Sequence, residues 1–340
     1  MKRLGEFDRP QIGLFEYQGE DLLDSARHFG LVRCDSFIAI HLREPGGRHY
    51  HILRHYRTGT SSGVMAAVSR DDGIYFDPRK MDFLRGGSTQ RFVGKDGDLR
   101  LLSSLGMYVG ADGVFVAAEG LQSDVLVGAT HGHVKDSGLI DVAGPAMGPG
   151  HYVMMPWAAG KPDATMHTAL YYNVTGTAYG NPVNGIVIFE NIWNPPATTW
   201  GQSPINSHLM GIWGAFAHEF EDGTYQYGHI ANWTSAGSFV NIVDNGKHIS
   251  TPVKSSQVIY RPDGFADRIV FELEDGDSWE CVVEANGVAI DTWKMAQSIG
   301  QTYRTGHKGH AGRVGDNRPR KSWYGVFEVF PDRLKGYVKD

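Results

Sequence analysis

A segment in the second half of the chain, residues 213–229, concentrates side chains that can exchange protons. It reads WGAFAHEFEDGTYQYGH and sets His218, Tyr227 and His229 among aromatic residues. Imidazole and phenol groups in apolar surroundings can act as general acids and bases, because burial shifts their pKa values and keeps bulk water away. We therefore predict catalytic roles for His218, Tyr227 and His229.

The side chains of this segment share a surface only if its two strands pair in one particular register. Asp222 and Gly223 suit a two-residue hairpin turn, in which both positions need positive φ. That turn would place six side chains on one face: Phe216, His218, Phe220, Tyr225, Tyr227 and His229. A three-residue loop that also includes Glu221 is the alternative, and it would move the second strand's residues to the opposite face. We prefer the two-residue turn because it separates aromatic from small and polar side chains, and we expect Phe216 and Tyr225 to bind the substrate.

Two earlier segments that read as strands add a carboxyl group and further polar side chains. Alternation places His167 and Tyr171 on one face of the first segment, and Glu190 lies between two isoleucines on one face of the second. Burial beside those isoleucines would raise the pKa of Glu190 and make it a proton donor near neutral pH. We assign Glu190 a catalytic role, and His167 and Tyr171 substrate-binding roles.

The elements that position these residues are predicted to be strands throughout. Short runs rich in Val, Ile, Tyr, Phe and Trp recur between turn-forming residues, and 44 glycines supply many turn positions. Because no long helices alternate with these runs, a parallel α/β fold is excluded, and we predict an all-β fold of two consecutive antiparallel barrels. A proline-containing stretch, 194–204, is the predicted linker. The expected divisions are an N-terminal arm (1–30), a first barrel (31–204) and a second barrel (205–340).

Several short motifs resemble a known family. They are Trp200-Gly201, Trp213 in a strand, Glu221-Asp222-Gly223 at a hairpin, Tyr227-Gly-His-Ile230 and the late strand Trp323-Tyr-Gly-Val-Phe-Glu328. Together they are similar to the two-domain lipocalin-like (calycin) proteins that include carotenoid hydratase, also called hydroxyneurosporene synthase, and fungal pericyclases. The resemblance extends over residues 30–335. It implies two lipocalin-like barrels and a pocket for an apolar small molecule, without an organic cofactor.

The tryptophans near the predicted junction are expected to line that pocket or the interdomain cleft. They are Trp193, Trp200 and Trp213. Hydratase-like members of the family carry an acidic pair just before the Trp-Gly motif, where this chain has Ala197, Thr198 and Thr199. The resemblance therefore implies architecture more than a particular reaction.

Composition excludes several classes of partner. The formal net charge of −6 disfavours nucleic acid and anionic membranes as partners. The longest apolar run, 209–217, is much shorter than the ~20 residues that cross a bilayer. No apolar stretch follows the first three residues, so we expect no secretory signal and a cytoplasmic protein. Two widely separated cysteines predict no disulfide, and the sequence leaves a homodimer open.

The preferred prediction is a cofactor-independent lyase, isomerase or cyclase that acts on an apolar or aromatic small molecule, as in secondary metabolism. A lipocalin-like carrier without catalysis is one alternative. A metal-dependent β-barrel enzyme is another, because His49, His51 and His55 share a strand face by parity and His131 and His133 form a second HxH pair. Neither pair is followed by the glutamate that a cupin site needs, and we predict no bound metal.

Overall fold

Every secondary-structure element in the described part of the chain is a β-strand. The computed structural model describes residues 9–16, 21, 25–46, 49–57, 62–70, 73–74, 89–93, 99–109, 115–136, 140–156, 164–198, 210–233, 237–262, 266–283, 289–290, 304–306, 309–330 and 334. In these ranges no helix is both long and apolar enough to cross a membrane.

The first fourteen strands form one large antiparallel sheet. They are β1 (Gln11–Phe15), β2 (Arg27–His28), β3 (Leu31–Arg43), β4 (His49–Arg57), β5 (Ser62–Arg70), β6 (Gly73–Ile74), β7 (Thr89–Val93), β8 (Leu99–Val109), β9 (Phe115–Val127), β10 (His131–Asp136), β11 (Ile140–Pro145), β12 (Gly150–Pro156), β13 (Ala164–Ala178) and β14 (Asn181–Asn194). The path runs β6-β5-β4-β3-β14-β13-β11-β10-β9-β8-β7, while β12 pairs with β13. Two strands from the predicted N-terminal arm join this sheet, since β1 pairs with β12 and β2 with β3.

The later strands form two smaller sheets. They are β15 (Met210–Phe220), β16 (Tyr225–Trp233), β17 (Phe239–Asp244), β18 (Lys247–Thr251), β19 (Val253–Tyr260), β20 (Ala266–Leu273), β21 (Ser278–Val283), β22 (Ala289–Ile290), β23 (Arg304–Gly306), β24 (Gly309–Arg313) and β25 (Arg320–Val329). The seven-stranded sheet has the order β18-β17-β16-β15-β25-β23-β22, and the four-stranded sheet has the order β19-β20-β21-β24.

Alternation along each strand divides the buried side chains between two cores and the surface where the sheets meet. The 14-stranded sheet curls around one core, to which Ile38, Leu170 and Phe189 belong, and the two smaller sheets enclose a second core. A third cluster contains Tyr171 of β13 together with Tyr227 of β16, so the outer faces of the two larger sheets pack against each other. The predicted all-β fold of two successive antiparallel barrels is confirmed.

The predicted register of the β15–β16 hairpin is wrong by one residue. The Phe220 amide donates to the Thr224 carbonyl at 2.9 Å, which closes a loop of three residues rather than two. Gly223 adopts the left-handed conformation with φ of 80°, and the Asp222 carboxylate accepts from the Thr224 amide at 2.9 Å. The three-residue loop fixes the alternative register, because the contact between Asp222 and Thr224 and the left-handed conformation of Gly223 together reverse the direction of the chain.

Close contact between β14 and β3 predicts an intolerant glycine at position 185. A β-carbon there would lie 1.9 Å from the His41 carbonyl oxygen, so the two strands would have to separate. Gly185→Ala should lower the free energy of unfolding by at least ~2 kcal/mol, measured by urea denaturation. The matched change Gly46→Ala has open space around it and should stay within about 0.5 kcal/mol of the parent. Equal stability of the two variants would contradict the described pairing.

Candidate active site

The candidate site lies where the 14-stranded sheet meets the seven-stranded sheet. Strands β13 and β14 contribute His167, Tyr171 and Glu190 from one side, as the predicted alternation required. Strands β15 and β16 contribute Trp213 and His229 from the other side. His229 pairs with Ala215, which lies two residues after Trp213, so the side chains of Trp213 and His229 lie on the same face. Both sheets thus supply side chains to the site, and it lies between them rather than inside a barrel as expected.

Glu190 is the centre of the cluster. Its Oε1 accepts from Nε2 of His167 at 3.2 Å and from Nε2 of His229 at 3.0 Å. The side chains of Glu190, His167 and His229 are 15%, 6% and 3% exposed respectively, so these contacts form almost out of water. Burial alone would raise the pKa of Glu190, but the two imidazole hydrogen bonds outweigh it and lower the pKa to about 2. The predicted rise is therefore wrong, and Glu190 is an ionised acceptor at neutral pH rather than a proton donor.

His229 connects Glu190 to Tyr171. The Tyr171 hydroxyl lies 2.7 Å from Nδ1 of His229 and 3.3 Å from its Nε2. Burial lowers the pKa of His229 to about 4, even though its hydrogen bond to Glu190 acts in the opposite direction, so the ring is neutral at pH 7. Because a carboxylate can only accept, Nε2 must donate to Glu190, which leaves Nδ1 to accept from Tyr171. The result is a chain of donors, Tyr171 to His229 to Glu190, of the kind that orients a general base.

Glu328 is a second carboxyl group at this site, and the sequence pattern did not single it out. It lies on β25 directly opposite Trp213 of β15. Burial, together with the negative charge of Glu190, raises the pKa of Glu328 to about 7. The two glutamates thus hold opposite protonation states over the range from about 2 to 7, which is the usual basis for assigning an acid and a base. The sequence signal that could have identified Glu328 is a carboxylate between hydrophobic neighbours, the same signal that identified Glu190.

Aromatic rings surround the polar cluster. The ring of Trp213 lies 4.7 Å from that of His229 and 5.0 Å from that of His167, measured between centroids. The Tyr171 and Tyr227 rings are 4.9 Å apart. Tyr227 donates its hydroxyl to the Pro149 carbonyl at 3.0 Å, and burial raises its pKa far above the usual range. Tyr227 therefore packs beside the polar cluster, and its hydroxyl is already engaged in a hydrogen bond.

His218 lies away from this cluster, because the corrected register places it on the opposite face from Tyr227 and His229. It pairs with Gln226, is fully buried, and accepts from the Ala311 amide at 3.4 Å. Burial holds the pKa of His218 well below its usual value. The predicted grouping of His218 with Tyr227 and His229 is wrong.

The remaining predicted binding residues are dispersed. Phe216 belongs to the core between the two smaller sheets. Trp193 belongs to the core of the 14-stranded sheet, where its indole donates to Thr168 Oγ1 at 3.2 Å. Tyr225 is partly buried at the edge of the interface, near Asn173. Trp200 lies outside the described residues.

Neither His131 nor His133 belongs to the cluster of described residues that could hold a metal. His131 is exposed, and His133 pairs with Asp141 at 2.7 Å on the surface. His49, His51 and His55 lie on β4, away from β13 and β16 in the strand order. Within the described residues, a group able to hold a metal ion consists of His167, Glu190 and His229, whose ligand atoms lie within 4.8 Å of one another.

Comparison with known proteins gives structural matches alone. No protein-family model and no curated protein matches the chain. A candidate AttH protein from Nitrosomonas europaea is similar, with 11% identity, a TM-score of 0.47, and coverage of 93% of this chain and 97% of that one. Kievitone hydratase from Nectria haematococca is also similar, with 10% identity, a TM-score of 0.37, and coverage of 97% and 98%. At this level of similarity, neither protein transfers a residue role to this chain.

Proposed function

We propose that this protein is a lyase or isomerase that moves protons on an apolar or aromatic small molecule without an organic cofactor. The observation that carries the proposal is the hydrogen-bonded chain from Tyr171 through His229 to Glu190. An ionised carboxylate, a neutral imidazole and a protonated phenol in that order form a proton acceptor ready for use. A carrier would need no such chain, since an apolar lining is sufficient for binding.

The roles follow from the direction of the hydrogen bonds. Tyr171 would take a proton from the substrate as it passes its own proton to Nδ1 of His229. Glu190 would stabilise the imidazolium that results, and it would hold the ring in the correct tautomer. Glu328 would donate its proton to a departing hydroxyl group, which leaves as water, or to a second carbon in an isomerisation.

A solvent-isotope screen tests this proposal across a range of compounds rather than on one chosen substrate. The protein is incubated in deuterated water with a panel of apolar alkenes, alcohols and enones, and the compounds are followed by mass spectrometry. We expect at least one compound to be converted, with solvent deuterium in the product of an isomerisation or of water addition to an alkene, and with loss of water in an elimination. The proposal fails if no compound is converted, or if conversion persists unchanged in a folded His229→Ala variant.

The pH dependence of kcat/KM should be bell-shaped for the compound that the screen identifies. His229 must be neutral to accept a proton, so activity should rise as pH increases through about 4. Glu328 must be protonated to act as the acid, so activity should fall as pH increases through about 7. Circular dichroism at each pH serves as the control for unfolding. A flat profile between about 5 and 9 would contradict the role of Glu328.

A divalent-metal enzyme is the second candidate, because two histidines and one glutamate converge in the cluster. This donor set suits zinc or non-haem iron with open coordination positions. Elemental analysis of protein purified without a histidine tag distinguishes the two candidates. The acid–base proposal expects substoichiometric metal and activity that survives EDTA. One bound metal ion per chain, lost in Glu190→Gln, would favour the metal enzyme instead.

A further inference from the structure

His151 is a buried histidine beside the candidate site that the proton chain does not use. It lies on β12, where it pairs with Ala169 of β13, and it is 1% exposed. Neither ring nitrogen has a hydrogen-bond partner among the described residues. A buried polar group without a partner costs stability, so a protein rarely keeps one unless another molecule completes it.

The surroundings of His151 are polar groups that already have partners. Its ring is stacked on Tyr227 at 5.1 Å with an interplanar angle of 11°, and it lies 5.6 Å from the Tyr171 ring and 6.3 Å from the His248 ring. Tyr227 donates to Pro149, Tyr171 to His229, and His248 contacts Asn241 at 2.9 Å. Each neighbour therefore already makes a hydrogen bond, and none of these bonds reaches a ring nitrogen of His151.

The chemistry of the ring defines what that partner must be. Burial, reinforced by the nearby His229, His248 and His167, holds the pKa of His151 well below its usual value, so the ring is neutral. A neutral imidazole offers one donor and one acceptor, which match a group that also donates and accepts. A hydroxyl group does both. An anionic ligand is disfavoured, because the ring carries no positive charge and the ionised Glu190 belongs to the adjoining cluster.

We propose that His151 anchors the substrate of the proposed enzyme through an uncharged hydroxyl group, and that Tyr171 and Tyr227 flank the ring or chain that carries this group. The proposal rests on the proposed function and adds the chemical class of the substrate. It makes His151 a binding residue whose role is specificity, separate from the proton chain.

Equilibrium binding of three matched probes tests this anchor: p-cresol, p-xylene and p-toluate, measured by titration calorimetry. Because one hydrogen bond contributes about 1 kcal/mol, we expect p-cresol to bind roughly 5–10-fold more tightly than p-xylene, and p-toluate to bind most weakly. In His151→Phe the preference for p-cresol should disappear while p-xylene binding remains. His131→Phe, a change at an exposed site, should keep the preference.

A second measurement guards against a variant that fails to fold. In the parent protein labelled with ¹⁵N-histidine, p-cresol should shift the ring nitrogen signals of His151, and p-xylene should not. Equal affinity for p-cresol and p-xylene, tightest binding of p-toluate, or no saturable p-cresol binding up to ~10 mM would overturn the anchor. Selective p-cresol binding without conversion of any compound in the isotope screen would refute the proposed enzyme activity and leave the anchor standing.

Discussion

Glu190→Gln should reduce kcat by ~10²–10⁴-fold, one of the two largest effects expected of a single substitution at this site. Gln has nearly the same shape but no charge, so it cannot stabilise the imidazolium form of His229. It also presents an amide where the carboxylate now accepts from both His167 and His229. Single-turnover kinetics with the compound from the isotope screen would measure the loss.

The control for this prediction is Glu272→Gln, which changes the same chemical group at an exposed position on β20. It should leave kcat within about twofold of the parent.

Stability gives a second check on Glu190. Its pKa is lowered from 4.5 to about 2, so its stabilising effect is complete above about 4.5 and is lost as pH falls through about 2. The gap in unfolding free energy between parent and Glu190→Gln should therefore narrow on acidification. Near-parent turnover in a folded Glu190→Gln would remove Glu190 from the mechanism.

Glu328→Gln should also lower kcat by ~10²–10⁴-fold, and it should abolish the fall in activity above pH 7. Gln can still donate a hydrogen bond but cannot give up a proton. The pH profile separates this loss from a merely structural effect. Misplacement of other groups in the site would lower activity by the same factor at every pH and would keep the fall above pH 7.

The same substitution should stabilise the protein in alkaline solution. The folded pKa of Glu328 is about 7 and its ordinary value is 4.5, so the carboxyl group costs stability progressively as pH rises from 4.5 through 7. Glu328→Gln should gain up to ~3 kcal/mol over the parent at about pH 8 and little at about pH 4. Greater activity together with lower stability in the parent is typical of a functional group held in an unfavourable setting. If the variant is equally active at about pH 6 and about pH 8 with undiminished kcat, Glu328 is not the acid.

Strand alternation predicted one half of the site from the sequence. His167, Tyr171 and Glu190 share a face because β13 and β14 are long, regular and paired without a shift over this stretch. The same parity places Trp193 on the other face of β14, in the core, so its predicted role conflicted with the pattern that located Glu190.

The other half of the site depended on one turn. A two-residue and a three-residue loop both fit the same residues, and they differ by one position, which reverses every side chain of β16 relative to β15. The contact between Asp222 and Thr224 decides between them, and composition does not reveal it. The predicted pKa of Glu190 was wrong for a related reason. Its two imidazole partners come from β13 and β16, and the pairing of the second with Glu190 is a contact between sheets that no local pattern encodes.

The interface between the two larger sheets has a consequence for how activity is lost. Each half of the molecule keeps its own apolar interior, while the proton path needs both halves in register. Damage at this interface would therefore abolish activity in a protein that bulk spectroscopy still reports as folded. On heating, we expect activity to be lost at a lower temperature than the folded structure.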